Sequence, residues 1–277
     1  MSSAVRFPAP AKLNLFLHVV GRRDDGYHLL QTAFTFIDRR DYLSFTQRDD
    51  DLIVRIDGPS DIAPNDDLCV RAAKLLQAKT ATRKGVCIGL EKHLPWGAGL
   101  GGGSSDAATT LIVLNRLWKL DLSREELQKI GLELGADVPV FIYGRSAFAE
   151  GIGEKLTALE VPKAWYVVLT PPVHVPTKSI FADPELTRDS IPIKISDFSS
   201  AVLRNDLETV TKHHFPEVSH YLQWLNEFSP ARMTGSGSAV FAAFSNQERA
   251  KNVLTKLPGT MKGFVAEGWN IHPLADF

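Results

Sequence analysis

An α/β chain of the α+β kind, folded as two domains, is what the sequence predicts, and three observations carry that expectation. In the opening run, Ala11, Leu13, Leu15, Leu17 and Val19 alternate with Lys12, Asn14, Phe16, His18 and Val20. That is the period of a strand with two unlike faces. A glycine- and serine-rich stretch, residues 95–107, stands directly ahead of an apolar run with three-and-four spacing, as a loop entering a helix does. Strand patterning restarts at Trp165 and is followed by helix and strand signals in the order of a split βαβ (ferredoxin-like) unit. We place the domains at 1–160, with a largely antiparallel sheet, and 161–277. A chain of 277 residues that is 44% hydrophobic and 23% charged is long enough to bury two cores.

Taken in order, the elements justify themselves locally. Lys12 and Asn14 share one face of the first strand, Asp24-Asp25-Gly26 supplies turn chemistry, and His28 to Ile37 reads as the returning strand. Tyr42 to Gln47 and Leu52 to Ile56, joined by the polar Arg48-Asp49-Asp50-Asp51, read as a second hairpin. Asn65-Asp66-Asp67 caps a helix that turns Leu68, Ala72, Leu75 and Leu76 inward. A strand over 86–90 precedes the glycine stretch, and the helix after it carries Ala107, Leu111, Leu114 and Trp118 on one side. Ser123-Arg124-Glu125-Glu126 is a capping box opening a helix that ends near Gly135. Asp137 lies just beyond, and Pro139 starts the apolar run Val140 to Tyr143, which reads as a strand. In the second domain Trp165 to Leu169 is a strand stopped by Pro171-Pro172, and 184–200 has no readable pattern. Helical patterns follow at 201–211, 216–227 and 247–256, with strands near 239–244 and 263–267.

Composition narrows the function. Lys and Arg total 31 against 32 for Asp and Glu, so no global charge favours nucleic acid or an anionic membrane. Cys69 and Cys87 lack metal-ligand spacing and read as free thiols of a reducing compartment. With no signal-peptide core and no apolar run of bilayer length, the expected location is the cytoplasm.

The glycine stretch carries the strongest chemistry. In Pro95-Trp96-Gly97-Ala98-Gly99-Leu100-Gly101-Gly102-Gly103-Ser104-Ser105, residues without a Cβ let successive backbone N–H groups converge on an anion, and the following helix adds its positive end. A triphosphate fits such a cradle. No Lys follows the glycines, so the loop is not a Walker A motif. Gly97-x-Gly99-x-x-Gly102 matches the dinucleotide fingerprint and Asp121 falls near the ribose-binding position, yet Glu91 to Trp96 separate the loop from its strand. An ordinary turn would not need three consecutive glycines, whose backbone entropy is costly. Read singly, Lys12 is a strand lysine or a phosphate-side charge, Asp137 a helix-exit residue or a proton acceptor, and His28 a strand residue or a base-edge partner. His213-His214 has no metal-binding companion and reads as structural.

Four segments stand in a familiar order: Pro10-Ala11-Lys12-Leu13-Asn14-Leu15, the glycine-serine loop, Gly135-Ala136-Asp137-Val138-Pro139, and Thr234-Gly235-Ser236-Gly237-Ser238. Over nearly its whole length the chain resembles the GHMP kinases, named for galacto-, homoserine, mevalonate and phosphomevalonate kinase. Gly21-Arg22-Arg23-Asp24-Asp25-Gly26-Tyr27-His28 narrows the resemblance to the branch that acts on a diphosphocytidyl alcohol. The resemblance implies an N-terminal ATP-binding domain, a C-terminal substrate-side domain and an active site in the cleft between them. It implies ATP-dependent phosphorylation of the 2-hydroxyl of 4-diphosphocytidyl-2-C-methyl-D-erythritol, a step toward isoprenoid precursors that does not use mevalonate. Pro95, Gly97, Ala98, Gly99, Leu100, Gly101, Gly102, Gly103, Ser104 and Ser105 would hold ATP, with Asn65 near its base. Lys12 and Asp137 would carry the chemistry, Asn14 the erythritol portion, and Tyr27, His28, Thr177 and Phe181 the cytidine side, with Gly235 and Ser236 closing from the second domain. Mg²⁺ is expected with ATP, its ligands unassigned, because the chain has no counterpart of the carboxylate that holds the ion in several relatives. The expected partner is the small-molecule substrate alone, with neither nucleic acid nor membrane, on a monomer or homodimer. A GHMP kinase indifferent to cytidine and a nucleotide sensor without turnover are the rival readings, and selective cytidine diphosphate binding or alcohol-dependent ATP consumption separates them.

Overall fold

A computed structural model describes residues 5–58, 63, 66–198 and 203–277. The first two strands, β1 (Phe7–Arg22) and β2 (His28–Arg48), form a long antiparallel hairpin around the Asp24–Gly26 turn, with Lys12 opposite Phe36 and Arg22 opposite His28. Its register shifts between Pro10 and Ala11, between Asn14 and Leu17 and between Val19 and Gly21. β2 runs well past Ile37. Its far half pairs with β4 (Gly85–Glu91), Tyr42 opposite Glu91 through Arg48 opposite Gly85.

That pairing removes the expected second hairpin. β4 takes one edge of β2 from Tyr42 to Arg48 while along that stretch β1 takes the other only at Tyr42 and Leu43, and β3 (Ile53–Arg55) adds in parallel to the far edge of β4. α1 (Leu68–Thr80) starts on Asp67, whose carboxylate accepts from the N–H groups of Cys69 and Val70. The expected cap residue Asn65 lies outside the described residues. α2 (Gly102–Leu117) follows the glycine loop, and α3 (Arg124–Leu132) opens on the complete Ser123/Glu126 capping box.

The apolar run after Asp137 is a helix, α4 (Val138–Tyr143), where a strand was expected. Pro139 sits in the first turn, where its missing N–H costs nothing, and Gly144 ends the helix at φ 79°. Val138 through Ile142 are all buried, so the helix shows no polar face to betray its period. β5 (Ala147–Glu150) pairs with β2 and with β6 (Lys155–Ala158).

In the second half, β7 (Trp165–Leu169), β8 (Ala231–Met233), β9 (Val240–Phe244) and β10 (Gly263–Trp269) line up in the order β10-β7-β9-β8, all antiparallel. α5 (Thr177–Ala182), α6 (Leu207–His214) and α7 (Pro216–Asn226) connect β7 to β8, and α8 (Gln247–Leu254) connects β9 to β10. This is the expected split βαβ arrangement. Gly268 and Trp269 of β10 also pair with Ile37 and Phe36 of β2, which joins both halves into one ten-stranded sheet. A core of Leu13, Phe16, Ile37, Leu100, Tyr166 and Phe241 fills the junction. Among the described residues no helix is long and apolar enough to cross a membrane. Cys69 and Cys87 are free.

Candidate active site

A cleft of about 1030 Å³ runs over the junction, walled by β1, the glycine loop, the α3–α4 turn, α5 and the β8–β9 loop. Every expected site residue lines it except two. Asn65 is not described, and the Ser105 side chain lies buried beneath the loop with no hydrogen-bond partner, its N–H spent on the Gly101 carbonyl.

At one end of the cleft the alternation of β1 sends Lys12 and Asn14 the same way. Lys12 is only 1% exposed. Its Nζ lies 3.2 Å from Asp137 Oδ2 and donates to Asn14 Oδ1 at 2.5 Å and to the Gly99 carbonyl at 2.9 Å. The Asp137 carboxylate, 37% exposed, faces the open cleft from the start of α4. Asn14 is held in turn: its Nδ2 donates to Thr32 Oγ1 at 3.0 Å and its backbone N–H to Thr234 Oγ1 at 2.9 Å. Thr234 belongs to the quoted Thr-Gly-Ser-Gly segment yet went unassigned; its hydroxyl ties β1 to the second half of the chain.

The loop is shaped by two glycines above all. Gly99 has φ 74°, and a Cβ there would fall 2.1 Å from the Thr234 carbonyl. Gly101 caps α2 at φ 72° with no side-chain cap, and a Cβ there would stand 3.1 Å from Lys12 Cε. The first N–H groups of α2 are thus left for a ligand, with no acidic residue in that turn to compete. Beneath them Lys92 Nζ bonds Asp106 Oδ2 at 2.6 Å and Asp41 Oδ2 at 2.5 Å. Burial acts to lower the Lys92 pKa, but these two carboxylates outweigh it and raise it. Burial pushes the Asp106 carboxyl up to about 7. Nothing in the local sequence signalled this triad, since its members are far apart along the chain.

The other end is made of exposed and half-buried rings. Tyr27 is 60% exposed beside the Asp24–Gly26 turn. His28 faces the Phe181 ring of α5 at 5.0 Å between centroids, tilted by 31°. Burial, then the charges of Arg188 and Arg22, hold the His28 imidazole below its ordinary pKa, so it is neutral near pH 7. Thr177, at the start of α5, shares a 2.7 Å hydrogen bond with Ser236 of the β8–β9 loop, which brings the second-half residues onto one wall.

A glycine loop, a buried Lys facing a cleft carboxylate and a ring-lined far end thus share one cleft. The GHMP kinases N terminal domain family matches residues 67–145, and the GHMP kinases C terminal family matches 188–263. The chain is 59% identical to the 4-diphosphocytidyl-2-C-methyl-D-erythritol kinase of Thiobacillus denitrificans over 98% of both chains. It is 57% identical to the kinase of that name from Nitrosospira multiformis, over 98% of this chain and 93% of the relative. A crystal structure of 4-(cytidine 5'-diphospho)-2C-methyl-D-erythritol kinase superposes with a TM-score of 0.82 at 33% identity, over 95% of this chain and 99% of that one. Mevalonate kinase of Methanococcus jannaschii, 18% identical, shares the fold with a TM-score of 0.69 over 97% of this chain and 99% of its own. The chain belongs to the GHMP kinases and, within them, to the 4-diphosphocytidyl-2-C-methyl-D-erythritol kinase family.

Proposed function

We propose that this protein transfers the γ-phosphoryl group of ATP to the 2-hydroxyl of 4-diphosphocytidyl-2-C-methyl-D-erythritol, a step of the non-mevalonate route to isoprenoid precursors. The observation that carries the site assignment is Lys12 Nζ, which bonds the glycine loop through Gly99 and stands 3.2 Å from the cleft carboxylate of Asp137. Phosphoryl transfer asks a protein for positioning and charge stabilisation more than for covalent chemistry. In this reading Asp137 accepts the proton of the substrate hydroxyl as its oxygen forms the new bond to the γ-phosphorus. The bond from that phosphorus to the β,γ-bridging oxygen breaks, and ADP leaves. Lys12 holds positive charge beside the oxygens that gain charge. Asn14, locked to Lys12, fixes the lysine and offers its amide to the erythritol hydroxyls.

The glycine loop and the uncapped start of α2 support an ATP site whose members are Pro95 and Gly97 to Ser104. Mg²⁺ fits as a companion of the nucleotide. Among the described residues no three His, Cys, Asp or Glu side chains gather into a metal site, so the ion would ride on the phosphates, with Asp137 the carboxylate next to the loop. Bound there, it would neutralise charge on the transferring group. Tyr27, His28 and Phe181 form the cytidine end, and Thr177 with Gly235 and Ser236 bounds the middle. We keep 1–160 and 161–277 as the ATP-side and substrate-side units. ATP consumption that depends on the diphosphocytidyl alcohol, with a product heavier by one phosphoryl group in mass spectrometry, tests the assignment. ATP use unaffected by the alcohol would overturn it.

A further inference from the structure

We propose that Arg188 is a positioning residue that locks His28 in the tautomer with its proton on Nδ1, so that the cleft meets the substrate's pyrimidine through a fixed hydrogen-bond donor. Arg188 Nε lies 3.1 Å from His28 Nε2. A guanidinium nitrogen donates and cannot accept, and it does not deprotonate in proteins. His28 Nε2 must therefore accept, and a neutral imidazole that accepts at Nε2 carries its proton on Nδ1. The arginine itself has little freedom: Nη1 donates to the Leu186 carbonyl at 3.0 Å, and Nη2 to those of Phe181 and Asp183 at 3.1 and 2.6 Å. One guanidinium thus ties the imidazole to the backbone of Phe181, whose ring it faces. Among the described residues no protein group accepts from Nδ1, and His28 lines the cleft.

The inference rests on the cytidine-bearing substrate proposed above. A cytosine offers acceptors at O2 and N3, whereas uracil carries a hydrogen at N3; a donor held in one place favours the former and opposes a second donor. Freed of Arg188, the imidazole could present either nitrogen as acceptor, and the distinction would blur.

The test begins with ¹⁵N spectra of the ligand-free protein, in which His28 is expected as a neutral ring protonated at Nδ1. Arg188→Met should give a mixture of tautomers, raise KM for the diphosphocytidyl alcohol roughly tenfold and leave kcat and the KM for ATP within about twofold. In a His28→Ala background the same change should add nothing, because the arginine acts through the imidazole. An Nε2-protonated ring in the wild type, or an equal tenfold loss in the His28→Ala background, overturns the inference. If Arg188→Met does not fold, the wild-type spectrum still decides. Failure of the substrate reading itself would look different: wild-type protein would not turn over the cytidine alcohol, whatever tautomer the spectrum records.

Discussion

The two ends of the cleft are built in opposite ways. At the proposed phosphate end Lys12, Asn14 and Thr234 are buried and cross-bonded between residues 220 positions apart, so distant parts of the chain must meet for the geometry to exist. At the base end Tyr27 is 60% exposed on a turn, and Phe181 rides on a six-residue helix that Arg188 anchors. In the function proposed above, chemistry sits where the fold over-determines position, and base recognition sits where a few local bonds set it. The two should therefore fail independently.

The hardest break is at the phosphate end. Asp137→Asn or Lys12→Met should lower kcat by roughly 10²-fold or more, the scale of general-acid/base and charge-stabilising groups, while calorimetry still shows nucleotide binding. Near-native kcat in both folded variants would remove these residues from the mechanism. Next is Gly101→Val: at φ 72°, with a Cβ position 3.0 Å from Phe141 and 3.1 Å from Lys12, a branched side chain must distort the loop. ATP affinity should fall by more than about tenfold, an effect worth over 1.4 kcal/mol. Cytidine diphosphate should bind as before; a parallel loss would mean the two ends are not separate.

At the base end, His28→Ala and Phe181→Ala each remove one contact worth about 1–2 kcal/mol and should raise KM for the alcohol by roughly tenfold, with the KM for ATP unmoved. Steady-state kinetics with each substrate varied in turn checks this. The smallest effect sharpens the account of the phosphate end's foundation. Asp106 has an ordinary carboxyl value of 3.8 when unfolded and is raised to about 7 by burial in the fold. Its contribution to stability is then complete below about pH 4 and is lost as pH rises through about 7, where a buried charge must form. His272, pushed down to about 3 by burial, loses its contribution in the other direction, as pH falls below 6.5. Asp106→Asn shares that histidine, so the difference from wild type isolates the carboxyl. The variant's Tm relative to wild type should climb by a few degrees, a kcal/mol-scale effect, between pH 4.5 and 7.5. A flat difference in thermal melts would show that Lys92 keeps Asp106 ionised throughout.

The sequence is most legible where short-range periodicity and caps decide structure. The alternation from Ala11 to Val19 placed Lys12 and Asn14 on one face, and the Ser123 capping box and the Gly97–Gly103 stretch each marked the start of a helix. It was least legible where tertiary competition decides. Leu52 to Ile56 read as the partner of Tyr42 to Gln47, but β4 takes that strand along its whole length and Ile53–Arg55 adds to β4 instead. Val138 to Tyr143 was apolar on every side, which hides a helical period, although Pro139 and Gly144 were the available clues. The Lys92–Asp41–Asp106 triad and the Arg188–His28 bond join residues from separate segments, and Arg188 falls in the patternless stretch 184–200.

The proposed reaction fixes where the phosphoryl group goes. The most direct measurement incubates the protein with ATP, Mg²⁺ and 4-diphosphocytidyl-2-C-methyl-D-erythritol and locates the new phosphorus by ³¹P–¹H and ³¹P–¹³C correlation. One new monoester on the 2-oxygen of the erythritol, one ADP per product and an intact cytidine diphosphate are expected. A phosphoryl group on another oxygen, or release of inorganic phosphate without a phosphorylated alcohol, would contradict it.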